Sequence, residues 1–506
     1  LVIKSLEKST GTDNKEIVKS WKKIGDLGLV AEQLIKGKKQ HTLSHHDLSV
    51  EKVLENLQKL PALEGKGTVD KKLGLISELL TSATPIEAKY IIRTLLGLLR
   101  IGVGDGTLRD AIVWACLEKE NKENYIAVQD AYDKSTDFAI VFEKACKGIK
   151  ALHETTLSPG HPIKVMLAQK AEDIEDAFER VGKPAAFEYK YDGFRMLINK
   201  DEQGNIKIFT RRLDEVTTQF PEVVKMIKEQ VRGKTFIIDT EAVGFDPTTK
   251  KYKPFQEISQ RIRRKYHIEE LIKKLPVEIN AFDILYHNGK SLINEPFEKR
   301  TKLLRSIIKS KKYHLKTARQ LITSNEKEAE QFNKEALKEH QEGVMIKNLS
   351  SIYKPGSRVG YMLKLKPVEN ELDLVITGGE YGKGKRAGSL SSFTLSCRDT
   401  KNHKFVEIGK SSGLKEKPEQ GLSFTELTKK LKPLITKEQG REVEIKPKIV
   451  VTVVYQNIQR SPTYSSGFAL RFPRITTLRI DRHIDDASTL KEVEDEYKRR
   501  ELKIRY

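Results

Sequence analysis

Across 506 residues the sequence carries 92 Lys and Arg against 71 Asp and Glu, a formal charge of +21. That length exceeds what one hydrophobic core fills and calls for about three domains, while the charge makes a polyanion, nucleic acid first, the expected partner. No apolar run nears the roughly 20 residues of a membrane span and no signal peptide is visible. Cys116, Cys146 and Cys397, widely separated and without a CxxC, read as buried or incidental thiols of a soluble protein in a reducing intracellular compartment.

The first 150 residues read as helices. SVEKVLENLQKL sets Val50, Val53, Leu54 and Leu57 on one face at helical spacing. Thr84, Pro85 and Glu87 form a capping-box start for AKYIIRTLLGLLRIG, with Gly102 the expected stop. HTLSHHD, with His41, His45, His46 and Asp47, is the zinc candidate of this stretch, but it lacks cysteines and ligand spacing, so a polar loop is the preferred reading. A basic, helical, chemically quiet region suits gripping a phosphate backbone. The chain opens at Leu1 within helix-like sequence, the pattern expected when the natural start lies upstream.

At LSPGHP, Pro159, Gly160 and Pro162 punctuate the chain. Beyond it NIKIFTRR, KTFIIDTEAVGF, VEINAFDILYHNG, EGVMIKNL and YMLKLKPV are strand-like. PFEKRTKLLRSII and the Glu-rich run near Asn325 are helical, the latter opened by a Thr323/Glu326 box. The result is a mixed α+β domain of about 200 residues. From Val368 short strands return in LDLVITGGEY, SSFTLSC, KFVEIGK and KIVVTVVYQNI, interrupted by the helix SFTELTKKLKPL. Five or so strands with one inserted helix make an OB-fold barrel, which commonly binds nucleic acid.

AAFEYKYDGFRMLINK holds the chemistry. Phe187, Tyr189 and Tyr191 alternate with Glu188, Lys190 and Asp192 as in a half-buried strand. Gly193 allows a turn or a close approach, and Arg195 follows. Lys190 is a candidate nucleophile, provided neighbouring positive charge or a metal favours its neutral amine. A solvated sheet edge is the competing reading.

GEYGKGKR, Gly379 to Arg386, fails as a P-loop because Arg386 stands where a metal-binding hydroxyl belongs and a strand follows. It reads as a basic loop near phosphates or as a plain solvated turn. Glu241 and Glu342, isolated in apolar strands, suit a hard cation such as magnesium, with exposed strand glutamates as the alternative. Lys364 and Lys366 project from one strand face, where paired ammonium groups call for an anion, and Arg358 adds a third contact. Phe282 is a core aromatic or a base-stacking platform. Arg471 and Arg474 in RFPR, with Arg479 and Arg482, cluster guanidinium groups suited to phosphate.

In this order EYKYDG, TRR, DTEAV, AFDILY, EGVMIK, LKLK and RFPR resemble the covalent nucleotidyltransferases, specifically the ATP-dependent DNA ligases of the larger replicative type of archaea and eukaryotes. GDLGLVAE and RTLLGLLRIG resemble that type's helical DNA-binding domain, and LSPGHPIKVMLA its junction to the catalytic domain. The resemblance implies an all-α DNA-binding domain over residues 1–160, an α+β adenylation (nucleotidyltransferase) domain over 161–367 and an OB-fold domain over 368–506. It implies a monomer that uses ATP with Mg2+ or Mn2+ to seal nicked double-stranded DNA in replication, repair and recombination, with a sliding clamp as candidate partner. The location would be cytoplasmic, with the nucleoid, for an archaeal protein and nuclear for a eukaryotic one.

By the same resemblance Lys190 attacks the α-phosphate. Glu188 and Phe282 hold adenine, Arg195 reaches the ribose and Arg211 the phosphate or nick end. Glu241 and Glu342 place metal; Arg358, Lys364 and Lys366 steady the α-phosphate; Arg474 orients pyrophosphate when the barrel closes. Arg482 stands where the family often has lysine, Arg212 where eukaryotic members have asparagine, and KSSGL is a loose version of a barrel segment. An RNA ligase or messenger-RNA capping enzyme shares the lysine motif and barrel but not the helical domain. A noncatalytic DNA-binding scaffold would not need Lys190, the glutamates and the paired lysines intact.

Overall fold

Helices Val2–Thr10, Asn14–Ile24, Leu27–Lys36, Val50–Ala62, Thr68–Ser82 and Pro85–Leu95 lead the chain and bury Leu6, Ile17, Val30, Leu79, Leu80 and Ile92. The computed structural model describes all residues except 38–46, 64, 66, 254, 263, 265, 340, 367–369, 415–421 and 504–506, so His41, His45 and His46 lie outside the described residues. The Thr84–Glu87 capping box forms with Pro85 in the first turn. Its helix ends at Leu95, short of the expected Gly102, because Gly97 turns the backbone at φ 65°. Val50–Ala62 is helical, but Val50 and Leu54 are exposed. The buried contact runs through Asn56, which donates to Leu75 O and Glu78.

Helices Asp105–Cys116, Lys122–Ser135, Phe138–Ala145 and Ile149–His153 share a second core of Ile112, Val113, Val128, Val141 and Leu152. Cys116 and Cys146, expected as buried or incidental thiols, are brought together at the ends of two of these helices and form a disulfide, with Cα atoms 4.8 Å apart. Cys397 is free and buried.

The strands that follow are β1 (Leu167–Lys170), β2 (Ala185–Tyr189), β3 (Phe194–Lys200), β4 (Ile206–Thr210), β5 (Phe236–Phe245), β6 (Tyr252–Lys253), β7 (Val277–His287), β8 (Lys290–Ser291), β9 (Leu315–Thr317), β10 (Gln320–Thr323), β11 (Val344–Asn348) and β12 (Arg358–Leu365). One sheet runs β1-β12-β11-β2-β10. The other runs β4-β3-β5-β7-β8, with β6 on β5 and β9 on β7. Their inner faces share apolar clusters: Leu197, Ile237 and Leu285 meet Val359 and Met362. The second sheet's other face is covered by helices that carry Val223, Ile227, Ile258 and Leu304. The expected half-buried β2 is buried at every position, because it lies between β11 and β10 in a layered α+β domain. Helix Glu326–Lys338 is capped by Asn325, whose side chain accepts from Lys327 and Glu328 N–H, not by Thr323.

Then come β13 (Asn370–Tyr381), β14 (Leu390–Asp399), β15 (Lys404–Ser411), β16 (Ile435–Gln439), β17 (Glu442–Ile445), β18 (Val450–Tyr455), β19 (Asn457–Arg460), β20 (Phe468–Arg471) and β21 (Arg474–Arg479). β19 and β20 form a hairpin, and the other seven strands form one antiparallel OB-like sheet. Helices Phe424–Leu431 and Leu490–Lys503 accompany it.

Packing divides the chain into two compact units. One combines Leu1–Gly102 with Val368–Leu502, and the other holds Val103–Pro367. In the first, the basic turn of GEYGKGKR docks on the helices: Gly384 N donates to Gly25 O at 3.0 Å, Lys383 lies 5.5 Å over the Trp21 ring and Lys22 pairs with Glu438 at 2.6 Å. Gly25 has φ +74°, and a Cβ there would sit 2.5 Å from the Ala387 Cβ. In the second unit Lys164, just after the LSPGHP break, pairs with Asp105 at 3.1 Å and Asp133 at 3.3 Å.

Candidate active site

Lys190 leaves β2 at the mouth between the two sheets, fixed by main-chain bonds: its N donates to Gly343 O and its O accepts from Glu342 N. Both neighbouring glycines are required by close approach. A Cβ on Gly193 would lie 2.2 Å from Ala242 O, and one on Gly343, at φ +121°, 2.2 Å from Leu365 O. Those approaches pull β5 and β12 against the lysine. Lys190 Nζ then lies 2.5 Å from Glu342 Oε2, which Lys366 Nζ also reaches at 2.8 Å. Burial works to raise the Glu342 carboxyl, but the two ammonium groups outweigh it and hold the group down at about 2.

Cations gather around this carboxylate. Lys364 is lowered by its burial and by repulsion from Lys366, Lys190, Arg358 and Arg211. Arg358 and Arg211 are exposed, at the start of β12 and just after β4. Such a concentration of like charge stabilises a bound polyphosphate.

Glu241 faces the same group from β5, opposite Arg195 of β3. Burial pushes it up to about 8, against the pull of Lys190 and Arg195. Because its folded value exceeds the ordinary 4.5, this group's stabilisation is complete below about 4.5 and is lost as pH rises through about 8. Without nucleotide or metal, Glu241→Gln is therefore expected to gain thermal stability over the native chain progressively from pH 5 to 8. Melting curves in parallel buffers check this; a constant difference across the range would refute the assignment.

Arg195 is committed within the protein. It pairs with both oxygens of fully buried Asp239 and donates to Met166 O at 2.8 Å and Tyr353 OH at 3.2 Å. Burial disfavours its charge, but Asp239 more than compensates. Phe282 is half-buried between cations, its ring centroid 5.4 Å from Arg195 and 5.0 Å from Lys347. Glu188 is buried; its Oε2 pairs with Lys347 at 2.6 Å and its Oε1 accepts from Gln320 at 2.9 Å. Asp239, Tyr353, Gln320 and Lys347 were missed from the sequence. Only Lys347, a lone polar residue at the end of EGVMIK, left a signal there.

The structure thus brings Lys190, Glu241, Glu342, Lys364 and Lys366 together, with Arg211 and Arg358 at the rim and Arg195, Glu188 and Phe282 behind. Arg474 belongs to the other unit, at the head of β21. Its neighbours Arg479 and Arg482 share Asp373 at 3.1 and 3.0 Å. Among the described residues no group of three or more His, Cys, Asp or Glu could hold a metal by itself. Glu241 and Glu342 nevertheless fit magnesium, which takes one or two carboxylates and completes its shell with substrate phosphates and water.

Three family models match in order: DNA ligase N terminus over residues 1–113, ATP dependent DNA ligase domain over 165–366 and ATP dependent DNA ligase C terminal region over 386–482. The DNA ligase of Nanoarchaeum equitans is 44% identical over 500 residues, covering 98% of this chain and 87% of that protein. Those of Thermococcus fumicolans and Archaeoglobus fulgidus are 41% and 40% identical, each over 98% of this chain and 87% of the relative. In fold, the solved structure named Pmar-Lig_Pre matches 95% of this chain and 99% of its own, with a TM-score of 0.56 at 16% identity. A site of this composition, within this order of domains, is that of an ATP-dependent ligase. The chain belongs to the ATP-dependent DNA ligase family, and its activity is the sealing of nicks through ATP-dependent adenylation. No helix among the described residues is long and apolar enough to cross a membrane.

Proposed function

We propose that Lys190 is the covalent nucleophile of nick sealing in double-stranded DNA, serving replication, repair and recombination. Its amine displaces pyrophosphate from the α-phosphate of ATP, forming a P–N bond and giving up one proton. AMP then passes to the 5′-phosphate of a nick, and the adjacent 3′-hydroxyl displaces AMP as the phosphodiester forms. The supporting observation is the position of Lys190, 2.5 Å from Glu342 and surrounded by the cations that repel Lys364.

Lys364, Lys366, Arg358 and Arg211 would bind the phosphates, and Glu188 and Phe282 the adenine, with Arg195 toward the ribose. Glu188 keeps a second lone pair on each oxygen for a base amino group. Glu241 and Glu342 would hold Mg2+ or Mn2+, which supplies neutralisation of phosphate charge. Arg474, on the barrel, would orient the pyrophosphate. The enzyme would act as a monomer, with a sliding clamp as its recruiting partner.

Mass spectrometry of the purified protein, with and without pyrophosphate, tests the reading. An AMP adduct on the peptide containing Lys190, removed by pyrophosphate, is expected. An adduct on another residue would overturn it.

A further inference from the structure

One buried polar side chain on the inner face of the second sheet has no role in the chemistry above. Asn280 of β7 lies directly opposite Glu241 of β5, and Arg195 lies opposite Glu241 on its other side. Directly paired residues of antiparallel strands point to one face, with Cβ atoms about 4.5–5.5 Å apart. The flanking residues agree: Ile279 and Ala281 enter the core beneath the helices, so Asn280 faces the other way, toward the first sheet, as Glu241 does.

Asn280 is fully buried, yet neither Oδ1 nor Nδ2 has a hydrogen-bond partner. An amide buried with both ends unspent destabilises a fold and calls for an explanation. The neighbouring cations do not provide one. Lys316, beside Asn280 on β9, is held by Glu278 at 2.9 Å, and Arg195 is engaged by Asp239, Met166 and Tyr353. Across the strand pair stands Glu241, a carboxylate with acceptor capacity.

We infer that Asn280 is the positioning residue for Glu241: its Nδ2–H, unpartnered in this structure, turns onto the facing Glu241 carboxylate when a divalent cation binds and holds it in the orientation that takes the ion. Ligating carboxylates need such outer partners, whose loss typically weakens metal binding 10–100-fold. The inference rests on the reading of Glu241 as a cation ligand, and the test separates the two.

Mn2+ binding to the whole 506-residue chain, measured by electron paramagnetic resonance of the free ion, is compared for the native chain, Glu241→Gln and Asn280→Leu. Both variants are expected to bind at least about tenfold more weakly. Asn280→Leu is also expected to melt no lower than the native chain, since it removes an unspent amide. Its self-adenylation should need about tenfold more Mg2+ for half-maximal rate while nearing the native rate at saturation. A packing role alone would do the reverse, lowering the melting temperature and leaving metal dependence unmoved. Asn280→Ala, which cannot overpack the site, gives the same reading if leucine does not fold. Native Mn2+ affinity in Asn280→Leu or Asn280→Ala, with Glu241→Gln weakened, overturns this inference and leaves Glu241 in place. Native affinity in Glu241→Gln, or no uptake of Mn2+ by the native chain, overturns both.

Discussion

Lys190→Ala is expected to eliminate labelling by α-labelled ATP and to slow sealing of an ordinary nick by about 10⁴-fold or more, the scale on which loss of a covalent nucleophile acts. The fold should survive. Glu342, which loses one partner, keeps Lys366 at 2.8 Å, so no buried carboxylate is stranded. Sealing of a nick that already carries the 5′-adenylate should persist, because the final displacement uses the 3′-hydroxyl and not the lysine. Lys190→Arg should fail like alanine, since a guanidinium does not give up its proton at working pH. Label that resists removal of Lys190 would refute the assignment; loss of both ordinary and pre-adenylated sealing would instead mean that the substitution damages DNA binding or the fold.

Glu188→Ala carries the largest expected effect on stability. Lys347 Nζ lies 2.6 Å from that carboxylate, and its side chain is only 5% exposed. Removing one member of a buried ion pair leaves the other's charge uncompensated, at a cost of about 3–5 kcal/mol. Loss of adenylation in Glu188→Ala would therefore not by itself reveal a contact to adenine. The double variant Glu188→Ala/Lys347→Met is expected to recover most of the lost thermal stability, because paired residues are strongly coupled, while still using ATP poorly. If the double variant melts as low as the single one, the ion-pair account fails. If it adenylates like the native enzyme, Glu188 is no nucleotide contact.

Much of the grouping of candidate residues was legible because the motifs recur in a fixed order, and the β-branched and aromatic runs placed β4, β5, β7, β11 and β12 correctly. What the sequence hid was cross-strand partnership. EYKYDG reads as a strand with one wet face, yet β2 lies inside its sheet between β11 and β10 and is buried at every position, so Glu188 needs the buried cation Lys347. Arg195 reads as a free arm toward a ribose until Asp239, 44 residues away, takes its Nε and Nη2. The glycine-rich turn near Gly384 shows its basic charge in sequence but not its seat on Trp21 and Gly25, because that seat is formed by a segment more than 350 residues earlier. Cys116 and Cys146 look unrelated until two short helices bring their ends together.

The division of the chain after Gly102 and around Val368 also sets an order of events during synthesis. The first helices have their own core and can fold as they emerge, but the strands against which Trp21 and Gly25 rest are translated only after residues 103–367. At the usual 5–20 residues per second that wait is on the order of 10–50 s. The nucleotide-handling segment, though it starts later, is complete first. The helical face around Trp21 thus spends the whole interval uncovered on the ribosome, and its partner is made long after it.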